Sequence, residues 1–138
     1  MSNAHQSAPW SAGITHATLV TDDLVGSRDF YRDVLELELI FEDDESAAFT
    51  LGGVIINTLA STAATELVEP LPVAPASTGS RVLLTLTVDD VDAAAALLAA
   101  RGVTLLNGPM NRPWGIRTAA FVDPGGHAWE LAGPVVEG

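Results

Sequence analysis

The sequence predicts an α+β fold built from two tandem βαβββ modules whose mixed sheets form a cleft. Three observations carry this. Thr18-Leu19-Val20-Thr21-Asp22-Asp23-Leu24 recurs as Thr85-Leu86-Thr87-Val88-Asp89-Asp90-Val91. Ala47-Ala48-Phe49 and Gly52-Gly53 recur later as Ala119-Ala120-Phe121 and Gly125-Gly126. Between the copies lies a stretch with Pro70, Pro72 and Pro75 among small and polar residues, as a linker would have. Two weak copies of one unit predict pseudo-symmetry, with a shared site between them.

The elements follow in order. Residues 1–13 read as a loose arm, and the first module as 14–60. Ile14 to Thr21 alternate and carry β-branched residues, which predicts a strand. Asp22 and Asp23 supply an N-cap and acids for the positive end of a helix. That helix runs over Leu24 to Glu36, with Ser27, Phe30, Tyr31, Val34 and Leu35 on one face. Leu37–Glu42, Ala47–Leu51 and Val54–Leu59 read as strands, the last two joined by a Gly52-Gly53 hairpin. Residues 61–80 read as a linker, long enough to lie over a binding site.

The second module spans 81–133. Val82–Val88 is a strand, and Asp90 or Asp92 caps a helix with Val91, Ala94, Ala95 and Leu98 as its buried stripe. Arg101-Gly102 ends that helix with a cation and a C′ glycine. Val103–Leu106, Ile116–Val122 and His127–Leu131 read as the remaining strands. Asp123-Pro124-Gly125-Gly126 is the turn between the last two. Residues 134–138 form a tail. Each helix crosses one face of its sheet and leaves the other face bare. A cavity between the repeats is the natural ligand site.

Composition narrows the function. The 138 residues make one domain with room for a real core. No apolar run nears the roughly 20 residues of a membrane span, and no signal-peptide pattern is present, so the expected location is the cytoplasm. The absence of cysteine excludes disulfides, thiolate metal sites and a cysteine nucleophile. The formal net charge is -12, and all six basic residues are arginine. Such a chain repels phosphate backbones and attracts cationic small molecules. Neither Gly-x-Ser-x-Gly nor a phosphate loop occurs.

The chain resembles the vicinal oxygen chelate superfamily of glyoxalase I, extradiol dioxygenases, fosfomycin-resistance enzymes and bleomycin-resistance proteins. In the first half the resemblance rests on His16-Ala17-Thr18-Leu19-Val20-Thr21-Asp22-Asp23-Leu24, Ser27, Phe30-Tyr31 and Leu35. In the second it rests on Pro113-Trp114-Gly115-Ile116-Arg117, then Phe121 to His127, then Trp129-Glu130-Leu131. It covers residues 14–132. It implies paired βαβββ modules around a cleft, with a divalent cation held from four equivalent strand positions in the metal enzymes. Trp-Gly-x-Arg before the Asp-Pro turn is most similar to the bleomycin-resistance side, whose members are dimers that bind a drug without a metal and without chemistry.

Four positions decide between these possibilities. His16 matches the first ligand position and Glu130 the last. Asn57 stands where glyoxalase-type members carry glutamate, and its amide oxygen is a poor ligand for a transition metal. Leu83 stands where glyoxalases and dioxygenases carry histidine, and leucine ligates nothing. The plain alternatives are a histidine hydrogen-bonded on a cavity wall and an exposed strand acid. His127 is three residues before Glu130 and so points to the opposite face of its strand, which makes it structural or surface-exposed. His5, in the arm, is a weaker candidate still. Trp114, and Trp10 in the arm, offer either a stacking or cation–π surface or ordinary packing. Arg117 is expected to form a salt bridge near the turn.

The expected function is metal-free binding or sequestration of a small molecule, cationic or aromatic, by a homodimer with neither nucleic-acid nor membrane partners. The expected ligand-binding residues are His16, Asn57, Leu83, Trp114 and Glu130. The alternative is a lyase, isomerase or dioxygenase of the same superfamily. There, His16 and Glu130 would hold zinc, nickel, manganese or iron, or Glu130 would act as a catalytic base.

Overall fold

The structure is a computed structural model that describes residues 8–10 and 12–137. His5 therefore lies outside the described residues. The first module contains β1 (His16–Thr21), α1 (Leu24–Asp29), β2 (Glu38–Glu42), β3 (Ser46–Leu51) and β4 (Val54–Ala60). A helix α2 (Ser61–Val68) follows. The second module contains β5 (Leu83–Thr87), α3 (Val91–Ala100), β6 (Asn107–Asn111), β7 (Arg117–Val122) and β8 (Ala128–Gly133). The sheets have the same topology, β1-β4-β3-β2 and β5-β8-β7-β6, with the outer pairs β1/β4 and β5/β8 parallel. No helix among the described residues is long and apolar enough to cross a membrane.

Equivalent caps start both helices. Asp23 accepts from the Gly26 amide at 2.9 Å, and Asp90 from the Ala93 amide at 3.0 Å. Asp90, not Asp92, is thus the cap of α3. Asp92 instead receives Arg117 at 2.8 Å, so that salt bridge joins β7 to α3 rather than bracing the turn. The first helix does not run regularly to Glu36. After Asp29 it widens into a π-helical turn over Phe30–Val34. This turn sends Phe30 and Tyr31 together into the core.

Two further stretches depart from the sequence expectation. Ser61–Val68, read as linker, forms α2, which packs on β4 and β1 through buried Ala64. Its N-terminal residue Ala60 makes no side-chain cap, so the usual start signal is missing. Val103–Leu106 is not a strand. The strand begins at Asn107 and contains Gly108 and Pro109. Proline is tolerated there because β6 is an edge strand, where one row of amides has no partner to lose. Its register against β7 shifts between Asn107 and Met110.

One core serves both modules. Leu19, Phe49 and Ile56 from the first sheet join Phe121, Trp129 and Leu131 from the second, with Phe30 and Tyr31 between them. The Tyr31 ring lies 5.9 Å from Phe49 and 6.0 Å from Trp129. Alternation along the strands puts these side chains on the helix-bearing faces, so the bare faces look away from the core.

A polar chain runs through this core. The Trp129 indole donates to the Tyr31 hydroxyl at 2.9 Å, and that hydroxyl donates to buried Asp123. Asp123 also receives the His127 amide at 2.8 Å and approaches the His127 ring at 3.0 Å. Burial raises the Asp123 carboxyl, but the bonds from His127 and Tyr31 outweigh it, and its pKa lies below the usual carboxylate value. Burial first, then the Asp123 charge, pushes the Tyr31 phenol up, which keeps it a donor. His127 is therefore structural, fixed to the turn that precedes it.

Candidate functional site

The two bare faces carry matching constellations. In the first sheet, Asn57 on β4 has Thr18 of β1 on one side and Ala48 of β3 on the other. In the second, Glu130 on β8 has Thr85 of β5 on one side and Ala120 of β7 on the other. The Thr85 hydroxyl donates to Glu130 at 3.0 Å. The Asn57 amide reaches the Thr18 hydroxyl only at 3.5 Å, the outer limit of a hydrogen bond. Each polar side chain thus has a threonine to orient it and an alanine that leaves space above the sheet.

His16 and Leu83 open the equivalent strands β1 and β5, paired with Ile55 and Ala128. His16 is exposed, and its ring meets only the neighbouring Thr15 hydroxyl, at 2.8 Å. Leu83 is 52% exposed, unusual for a leucine in a strand. Alternation places His16, Thr18 and Asn57 on one bare face, and Leu83, Thr85 and Glu130 on the other. Trp114 is 68% exposed in the loop between β6 and β7. That loop is braced by Arg112, which donates to Thr118 at 2.8 Å and Asn107 at 2.9 Å.

The structure brings the five expected ligand residues together only in part. His16 joins Asn57, and Leu83 joins Glu130, but the two pairs belong to different sheets with the shared core on their far sides. Among the described residues, no group of three or more His, Cys, Asp or Glu could hold a metal ion within one chain. The donor set agrees with that geometry: of the four strand positions, one carries leucine and one a neutral amide.

The threonines and alanines around Asn57 and Glu130 were not singled out from sequence. Their signal was in the repeat itself. Thr18 and Thr85 open the duplicated heptapeptide, and Ala48 and Ala120 sit inside the second duplicated segment. A cavity of about 710 Å³ lies elsewhere, between β1, residues 74–82 and the β7–β8 turn. None of the five expected ligand residues lines it.

The paired sheets, their matched constellations and the duplicated sequence coincide with a known family model. The model for the glyoxalase/bleomycin resistance protein/dioxygenase superfamily matches residues 13–131. The chain belongs to this superfamily. A solved glyoxalase/bleomycin resistance protein/dioxygenase from Nocardioides is 30% identical. It superposes with a TM-score of 0.80 over 96% of this chain and 87% of that one. TnmS3, an antibiotic binding protein from Streptomyces sp. CB03234, is 28% identical, with a TM-score of 0.64 over 88% and 95% of the two chains. An uncharacterized protein of Mycobacterium bovis is 31% identical over 126 residues, 86% of this chain and 82% of its own length. Superfamily membership carries with it the binding of small molecules, the coarse function of this fold.

Proposed function

We propose that this superfamily member is a cytoplasmic, metal-free small-molecule binder. Its ligand would lie on the bare sheet faces, and a second copy of the chain would complete the cleft. The carrying observation is the divergence of the two matched constellations. Glu130 retains a carboxylate oriented by Thr85, while its counterpart is the amide of Asn57. His16 retains an imidazole, while its counterpart is an exposed leucine. One face thus offers an imidazole beside a neutral amide, and the other a carboxylate beside a leucine, rather than a cage of ligands.

The chemistry favours a cationic aromatic ligand. Glu130 supplies the counter-charge, the net charge of -12 draws cations in, and exposed Trp114 offers a face for stacking. The antibiotic-binding neighbour supports a ligand of drug-like size. The bare faces support the dimer, because a face that is bare in one chain becomes a cleft when another surface faces it.

Calorimetry against bleomycin and other cationic aromatic compounds tests this reading. Micromolar binding is expected, weakened about tenfold in Glu130→Gln through loss of a charge-assisted contact. Absence of any micromolar binding defeats the sequestration reading. Elemental analysis of the purified protein addresses the enzyme alternative, in which a metal would draw His16 and Glu130 from facing surfaces. Stoichiometric zinc, nickel, manganese or iron would overturn the metal-free reading.

A further inference from the structure

We propose that the cavity roofed by residues 74–82 is a second ligand site, which reaches the edge of the first bare face at Thr18 but none of the five expected ligand residues, and that it takes an amphipathic carboxylate. The apolar body would fill the cavity, and the carboxylate would meet Arg81 at its mouth. The cavity, at about 710 Å³, has the size of a small-molecule site. Its walls include Ala17, Leu19 and Val20 of β1, Leu84 of β5, and Ala74 and Pro75 of the roof. These offer an acyl chain or ring an apolar surface, with Thr18, Thr21 and Ser61 beside it.

Charge selects the head group. Asp22, Arg81 and His127 are the ionisable residues in the lining. Asp22 accepts from Ser61 at 2.5 Å, and the His127 ring is held by Asp123. Arg81 has neither a hydrogen bond nor a salt bridge among the described residues. The other five arginines are all engaged: Arg28 with Glu42, Arg32 with Asp33, Arg101 with Glu36, Arg112 with Asn107 and Arg117 with Asp92. In a chain with 18 acidic residues, an arginine left without any polar partner among the described residues is the outlier. Its planar fork suits a carboxylate in two-point contact.

The roof is seated, so the cavity is preformed. Gly126 has a φ of +91°, and a Cβ there would fall 2.7 Å from the Ala76 side chain. The roof thus rests directly on the β7–β8 turn. At the equivalent turn of the first module, a Cβ on Gly52 or Gly53 would meet nothing within 4 Å. The enclosure belongs to the second turn alone and does not follow from the duplication.

Calorimetry on the full chain with octanoate, hexanoate and 1-octanol tests the assignment. Octanoate should bind saturably, and hexanoate about tenfold more weakly, since each buried methylene contributes roughly three- to fourfold. Arg81→Gln, at an exposed position, should weaken octanoate about tenfold and leave 1-octanol unchanged. Glu130→Gln, which should impair cationic aromatic ligands on the sheet face, should leave octanoate unchanged. No saturable octanoate binding at millimolar concentration, equal octanoate affinity in Arg81→Gln, or loss of octanoate binding in Glu130→Gln would each overturn the proposal.

Discussion

In the first module the β3–β4 hairpin turns at Gly52-Gly53 in open space. In the second, the equivalent β7–β8 turn packs against β1 and residue Ala76. A Cβ on Gly125 would press on Thr21 of β1 at 3.1 Å, and one on Gly126 on Ala76 of the roof. Asp123, at its start, holds Tyr31 from the other module. The two turns descend from one sequence pattern and do different work. The first closes a hairpin, whereas the second joins two modules and supports a cavity. Duplicated units diverge where they meet, because only there does each copy have a different neighbour.

This contrast can be broken experimentally. The largest effect is expected from Asp123→Ala, which leaves the Tyr31 hydroxyl and the His127 amide without their buried acceptor. Loss of about 3 kcal/mol of stability in denaturant titration is expected. A loss no greater than that of an exposed strand acid would show that the turn is not a junction. Next comes Gly126→Ala, strained in φ and driven into Ala76, at about 2 kcal/mol. Its counterpart Gly52→Ala has a φ of +57° and no steric neighbour, and should cost about 1 kcal/mol. Equal costs at the two glycines would remove the distinction.

The smallest effect is the most specific. Because the Asp123 carboxyl is lowered in the folded chain, the charged form is favoured by folding. Its contribution is complete above the unfolded carboxylate value of about 4 and is lost as pH falls through the lowered value. Thermal melts should show wild type losing its advantage over Asp123→Asn as pH falls below about 4. An advantage that stays constant down to the most acid conditions would mean that the carboxylate charge is not what holds the junction.

Much of the fold was legible because its signals are local. The alternation of β1, the aspartate caps of both helices and the glycine turns are fixed by neighbours within a few residues. The β6 shift was not legible, since Gly108-Pro109 reads as a loop until the strand is known to be at an edge. Nor was α2, which starts without a cap and is stabilised by packing on β4 and β1. For the candidate site, the repeat identified equivalent strand positions, and the paired registers Thr18–Asn57 and Thr85–Glu130 show them as equivalents in space. The role of Asp123 was hidden. Read locally it is a turn former, and its partner Tyr31 is 92 residues away in sequence.

The burial of Trp129 has a consequence for spectroscopy. Of the three tryptophans, Trp10 is 79% exposed and Trp114 is 68% exposed, while Trp129 is 2% exposed and bonded to Tyr31. A collisional quencher in water should silence the first two and spare the third. The light that remains would report on the module junction alone. The protein thus carries an optical probe of its junction, separable from the two exposed tryptophans without labelling.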